Sequence, residues 1–237
     1  MNYVIVIPAR MASSRFPGKP LALADGKPLL WHTVNRARFS KASAVVVATP
    51  DQEIKDYCES ERIDYVFDKK DRWCGTARVA SVARNLLTKS PGPLHCIVNW
   101  QVDEPEVPAL VVDSLAEKTA GQKVSNRIGT LCCPIQEQEV DSTDEVKVIV
   151  DKDGRCRWFS RGMITGAVKH VGIYAVPNQI IWRLGVYEQT EHSRSEDLEQ
   201  LTWLENDEKM FAVKTDRSHS INTPADLEEF DWRLRNA

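Results

Sequence analysis

The 237-residue sequence has no CxxC pair among its six cysteines, no GxxxxGKS/T or GxGxxG pattern, no internal repeat and no low-complexity stretch. Each absence removes a class. Without paired ligand spacing, Cys58, Cys74, Cys96, Cys132, Cys133 and Cys156 read as reduced, buried small hydrophobes, so neither a zinc site nor a disulfide is expected. Without either glycine signature, the usual P-loop and dinucleotide-binding folds are not expected. No apolar run approaches the ~20 residues needed to cross a bilayer, and the opening MNYVIVIP is too short, with no basic residue ahead of it, for a signal peptide. The expectation is a cytoplasmic protein with no membrane partner. A large net charge is missing too: at −3, and with no basic stripe interleaved with aromatics, the chain is not expected to bind nucleic acid. Any anion must be met by a local cluster of cations.

Apolar runs of strand length alternate with helical patterns. YVIVIP (3–8), SAVVVATP (43–50), DYVF (64–67) and HCIVNWQ (95–101) read as strands, with helices over 27–40, 51–62 and 76–89 between them. The strands are apolar throughout rather than alternating, as strands covered on both faces are. This predicts a doubly wound, mostly parallel α/β sheet whose ligands collect at the carboxyl ends of the strands. From about 107 the rhythm changes. A helix over 108–120 leads to a strand at 127–135, a hairpin around Asp-Gly within 145–160, a strand at 168–176, helices near 177–187 and 195–206, a strand at 210–215 and a closing helix from Thr223. No linker separates the halves, so one domain over 1–237 is expected, with a smaller β-hairpin subdomain over about 125–180.

One loop concentrates positive charge. IPARMASSRFPGKPL (7–21) leaves the first strand carrying Arg10, Arg15 and Lys19 without a single acid, together with Ser13, Ser14 and Gly18. Backbone N–H groups, hydroxyls and cations on one loop suit a polyphosphate, although a solvated basic turn would have the same composition. Beyond the fourth strand, VNWQVDEPEVP (98–108) brings Asp103 and Glu104 toward the same edge, where a carboxylate could hold Mg²⁺ against phosphate oxygens or simply cap the turn before Pro105. CGTARVA (74–80) sets Arg78 at a helix start facing that edge.

Seven collinear blocks, IPARMASSRFPGKPL, CGTAR, VNWQVDEPEVP, VKVIVDKDGRCRWFSR, KHVGIYAV, EDLEQLTWLEN and INTPADLEEF, resemble the CMP-Kdo synthetases, the 3-deoxy-manno-octulosonate cytidylyltransferases, over nearly the whole chain. The resemblance implies a nucleotidyltransferase-type α/β fold, a homodimer whose dimerisation and substrate-side elements fall in 125–180, and transfer of CMP from CTP to an acidic sugar with release of pyrophosphate, feeding lipopolysaccharide or another surface polysaccharide. It implies that Arg10, Ser14, Arg15 and Lys19 meet the triphosphate, that Pro8 and Ala9 meet the cytosine, and that Arg78 and Gln101 add nucleotide contacts. Asp103 would bind Mg²⁺, and Arg161, His170, Tyr174, Glu199 and Gln200 would contact the sugar acid.

The chain departs from that pattern at four places. Asn222 replaces the aspartate expected before Thr-Pro as a second metal ligand, Val102 replaces a glycine, Ala77 replaces an acid, and GMITGAVK (162–169) is short for the substrate-side loop. A neutral amide holds Mg²⁺ less strongly than a carboxylate, so Glu104 is a further candidate ligand. A cytidylyltransferase for a small acid such as a phosphonate, or a nucleotide binder without turnover, would also carry these changes.

Overall fold

The computed structural model describes residues 1–13, 15–89, 92–121 and 126–236. Its strands are β1 (Tyr3–Pro8), β2 (Leu23–Ala24), β3 (Lys27–Pro28), β4 (Val45–Thr49), β5 (Tyr65–Phe67), β6 (Cys96–Trp100), β7 (Arg127–Cys133), β8 (Lys147–Val150), β9 (Cys156–Ser160), β10 (Val168–Pro177) and β11 (Lys209–Lys214). Its α-helices are α1 (Leu29–Ala37), α2 (Gln52–Ser60), α3 (Gly75–Lys89), α4 (Ala109–Ala120), α5 (Asn178–Leu184), α6 (Glu191–Glu196), α7 (Glu199–Glu205) and α8 (Pro224–Arg235).

The main sheet runs β11-β7-β10-β6-β1-β4-β5, with β8 and β9 attached beside β10. The β6-β1-β4-β5 half and the β11-β7 pair are parallel, and β10 is antiparallel to β6, β7 and β8. Period-2 alternation along β1 divides the core. Tyr3, Ile5 and Ile7 face Leu30 and Val34 of α1, Ile54 of α2 and Leu115 of α4. Val4 and Val6 face Val79 and Ala83 of α3, Ile181 of α5 and Trp203 of α7. This is the expected two-faced burial. All six cysteines are free.

Three local expectations need correction. The helix expected over 27–40 starts only at Leu29, because Lys27–Pro28 pairs with Leu23–Ala24 in a hairpin whose turn residues Asp25 and Gly26 have φ of 47° and 71°. Positive φ at both central residues is what a type I′ turn requires. The helix expected over 195–206 is broken at Asp197, which is left-handed with φ 51°, so α6 and α7 are separate. The strand expected at 43–50 is confined to Val45–Thr49.

Helix α4 lies flat on β7 at Gly129. A Cβ there would sit 2.5 Å from Thr119 Oγ1, 2.8 Å from Leu115 Cδ1 and 2.9 Å from Phe211 Cζ. Gly129→Ala is therefore expected to destabilise the fold by about 2 kcal/mol, the cost of overpacking a filled core, read as a lower urea midpoint at unchanged slope.

Candidate active site

Because β1, β4 and β6 are parallel neighbours, their carboxyl ends share one edge of the sheet. The basic loop leaves β1 there. Its path is fixed by Met11, whose N–H donates to the Asp51 carboxylate at 2.7 Å, and by Gly18, which has φ 76° and donates to the Met11 carbonyl. Arg10 is exposed at the cleft mouth, and Arg15 pairs with Asp144 at 2.9 Å across the cleft. Lys19 Nζ donates to Asp103 Oδ2 at 2.6 Å and to the Ile221 carbonyl at 3.1 Å. The basic loop and the carboxylate after β6 thus meet directly. Ser14 lies outside the described residues.

Asp103 is held by its backbone as well, its carbonyl accepting from Ile221 N–H at 2.9 Å. Its second carboxylate oxygen, Oδ1, is buried with no hydrogen-bond partner. A buried acceptor in that condition costs free energy unless a ligand satisfies it. Asn222 lines the same cleft, fixed by a capping box in which Asp226 accepts from the N–H groups of Asn222 and Thr223. Among the described residues no group of three or more His, Cys, Asp or Glu forms a metal cluster.

Glu104, weighed from sequence as a further ligand, is instead built into the wall. It is buried, and its carboxylate accepts from Ser220 Oγ at 2.6 Å, Gly172 N–H at 3.1 Å and Ser218 Oγ at 3.1 Å. Burial, aided by the charge of Asp103, raises its pKa to about 7.

Pro8, Ala9, Arg78 and Gln101 line one half of the cleft with the loop. Arg78 is buried and spends part of its guanidinium on the Asp68 and Lys70 carbonyls after β5, at 3.0 and 3.4 Å, so it also ties that loop to α3. Gln101 packs against Gly172, where a Cβ would come within 2.7 Å of Gln101 Oε1. That close approach accounts for a glycine inside β10, at a register shift between Val171 and Tyr174.

Arg161, His170, Tyr174, Glu199, Gln200 and Asn222 line the other half, which is continuous with the first through Arg10, Arg15, Gln101 and Asp103. Arg161 donates to the carbonyls of Glu196 and Thr143 at 2.9 and 3.1 Å, bracing the end of β9 against α6. His170 is buried, with Nε2 2.9 Å from Thr130 Oγ1, its ring stacked on Tyr174 and edge-on to Phe159; desolvation pushes its pKa down to about 3. Glu199 accepts from Thr76 N–H at 3.1 Å and Thr76 Oγ1 at 3.0 Å, and burial raises its pKa. Gln200 donates to the Tyr174 hydroxyl, and its own Oε1 is buried without a partner, a second acceptor open to a ligand. Cys74 lines both halves, where burial and the nearby Glu199 raise its pKa and favour the neutral thiol.

Sequence reasoning missed Thr76, Asp144 and the serines that hold Glu104. Only Asp144 carried a signal, as an acid beside the VKVIVDKDG hairpin; the others act through contacts 114 to 123 residues apart in sequence.

Against known proteins, residues 4–214 match a family model described as cytidylyltransferase. A 3-deoxy-manno-octulosonate cytidylyltransferase of Marinobacter nauticus is 33% identical over 96% of this chain and 95% of that protein. One of Nitratidesulfovibrio vulgaris is 35% identical over 94% of this chain and 92% of that protein. A solved structure of CMP:2-keto-3-deoxy-manno-octonic acid synthetase complexed with CTP superposes with a TM-score of 0.87 at 28% identity, covering 100% of this chain and 99% of the other. With its parallel sheet, its basic loop after β1 and matches of this extent, the chain belongs to the cytidylyltransferases, in the family of the 3-deoxy-manno-octulosonate cytidylyltransferases.

Proposed function

We propose that this enzyme transfers CMP from CTP to 3-deoxy-manno-octulosonate, releasing pyrophosphate. The observation that carries the reading is the junction of Lys19 with Asp103, which joins the acid-free basic loop to a carboxylate bearing an unpartnered buried oxygen. In this reading Arg10, Arg15 and Lys19 bind the triphosphate, Pro8 and Ala9 bound the base pocket, and Arg78 and Gln101 position the nucleotide. Asp103 offers an unpartnered hard oxygen and Asn222 an amide oxygen in the same cleft, a donor set that fits Mg²⁺, which is commonly held by one or two carboxylates plus substrate phosphates. Bound there, Mg²⁺ would supply neutralisation of charge on the phosphates as pyrophosphate leaves. The side chains supply the rest by position: cations face the leaving group, and the Gln200 Oε1 and Glu199 acceptors meet sugar hydroxyls, so that the acceptor oxygen is aimed in line at the α-phosphate. No covalent enzyme intermediate is required.

The same reading makes the enzyme a cytoplasmic homodimer through the 125–180 elements, which sedimentation tests; no helix among the described residues is long and apolar enough to cross a membrane. Pyrophosphate release with CTP, assayed against 3-deoxy-manno-octulosonate, its amino analogue, sialic acids and small phosphonates, tests the substrate. Release with a phosphonate and with none of the sugar acids would overturn it. Gly172→Ala, by pushing the Gln101 amide aside, is expected to raise the KM for CTP about tenfold at nearly unchanged melting temperature, since displacing a contact residue costs orientation rather than packing.

A further inference from the structure

A second cavity lies at the opposite edge of the sheet, lined by Arg127, Arg155, Arg157 and Lys209 over a floor of Cys156, Leu204 and Met210. Arg127 opens β7, whose other end reaches the active-site edge through Cys133, so the two sites are separated by roughly 20 Å at the usual rise per strand residue. The backbone itself assembles the charges. Lys209 and Arg127 are register partners in the parallel β11–β7 pair, and an isolated bridge from Arg155 to Phe211 brings Arg155 to the other side of β11. Like charges directly opposite on neighbouring strands repel and are destabilising unless something answers them.

Little in the chain does. Arg157 is neutralised by Asp151 at 2.6 Å. Both oxygens of Glu208 are taken by Arg183 and Tyr187, which are not among the residues lining the cavity. That leaves Arg127, Arg155 and Lys209, none with a side-chain hydrogen bond or ion pair among the described residues, against the single carboxylate of Asp207. The local excess is two positive charges in a chain of formal charge −3. Two guanidinium forks and an ammonium stand around an apolar floor in an open recess, Arg155 and Lys209 exposed and free to close on a ligand, a chemistry suited to tetrahedral polyanions.

We propose that this cavity binds a small phosphate-bearing anion at a site separate from the active-site cleft. Calorimetric titration of the whole enzyme with inorganic pyrophosphate tests it, using the wild type, an Arg155→Ala/Lys209→Ala double variant and Arg15→Ala. The wild type is expected to take up two equivalents. The double variant should lose one of them with at least a tenfold drop in affinity and no loss of melting temperature, because mutual repulsion is relieved. Arg15→Ala should keep that equivalent and weaken the other, so failure of the cleft reading and failure of this one are distinguishable. Parallel titrations with inorganic phosphate and with CMP separate free phosphate from the phosphate of a nucleotide, and either one, lost in the double variant, supports the site. An unchanged titration in the double variant, citrate bound as tightly as pyrophosphate, or a fall in sedimentation coefficient on mutation would overturn it; the last would mean that the cations meet acids of a second copy instead.

Discussion

Asp103→Asn is expected to slow turnover about a thousandfold, a loss of the size seen when a group stabilising transition-state charge is removed, while the protein folds normally. The fold should survive because the structural bond at this position runs through the backbone, from Ile221 N–H to the Asp103 carbonyl, and is indifferent to the side chain. An asparagine can still accept from Lys19 through its amide oxygen, with its NH₂ turned to the place of the unpartnered Oδ1. What is lost is one negative charge and one hard oxygen. Binding of CTP in metal-free buffer should then be unchanged or tighter, since a carboxylate that repels the triphosphate has gone, and this separates a metal-holding role from a nucleotide-holding one. If the residue only anchored Lys19, the asparagine oxygen would keep that bond and turnover would be nearly unchanged. The companion change, Asn222→Asp, adds a carboxylate where the amide now lines the cleft and should lower the Mg²⁺ concentration needed for half-maximal rate.

Why Asp103 was legible and its surroundings were not has a physical reason. The strands that deliver it are continuous apolar runs, and a run such as YVIVIP or CIVNW leaves a covered parallel strand as the economical reading. The carboxyl-end rule then places the loop after β1 beside the residue after β6 with no knowledge of side chains. Nothing local reveals that β10 enters antiparallel between β6 and β7, yet that insertion brings Gly172, His170 and Tyr174 to the cleft. The break at Asp197 is equally hidden. The sequence around it favours a continuous helix, but Arg161, 35 residues earlier, ties the Glu196 carboxylate and carbonyl to the end of β9, and the chain must turn there. The β2–β3 hairpin, by contrast, announced itself through Asp25-Gly26 and could have been found. Asn222 stood out as a departure from the family pattern, but its setting depends on the Thr-Pro-Ala-Asp capping box, a signal readable in the four residues themselves.

The wall of the cleft holds two buried titratable groups with opposite linkage to folding, and their separation by mutation is the second large effect. His170 titrates near 6.5 when unfolded and near 3 when folded. Its neutral form is the one that fits: with the Thr130 hydroxyl donating to the Ile173 carbonyl at 2.9 Å, the ring donates Nε2–H to Thr130 Oγ1, and the other ring nitrogen has no partner among the described residues for a second proton. The stability that this supplies is complete above pH 6.5 and is lost as pH falls toward 3, about 5 kcal/mol in all at about 1.4 kcal/mol per unit. Glu104 runs the other way. Its pKa rises from 4.5 to about 7 on folding, so the folded state holds the proton more firmly and stability grows by about 3 kcal/mol as pH falls from 7 to 4.5. Between pH 6.5 and 4.5 the two nearly offset, and below 4.5 only the histidine is still losing. In melting curves taken in chelator-containing buffer, the contributions of these two groups to the wild type should therefore nearly cancel over that window. Relative to the wild type, Glu104→Gln should lose stability as pH falls from 7 to 4.5, and His170→Gln should gain it as pH falls below 6.5, whatever it loses in packing at neutral pH. Groups common to all three proteins cancel in the differences between curves, so the comparison does not depend on the remaining carboxylates. Parallel curves for the wild type and His170→Gln between pH 6.5 and 4.5 would mean that the imidazole already carries its proton in the fold, and the buried, neutral ring stacked on Tyr174 would have to be given up.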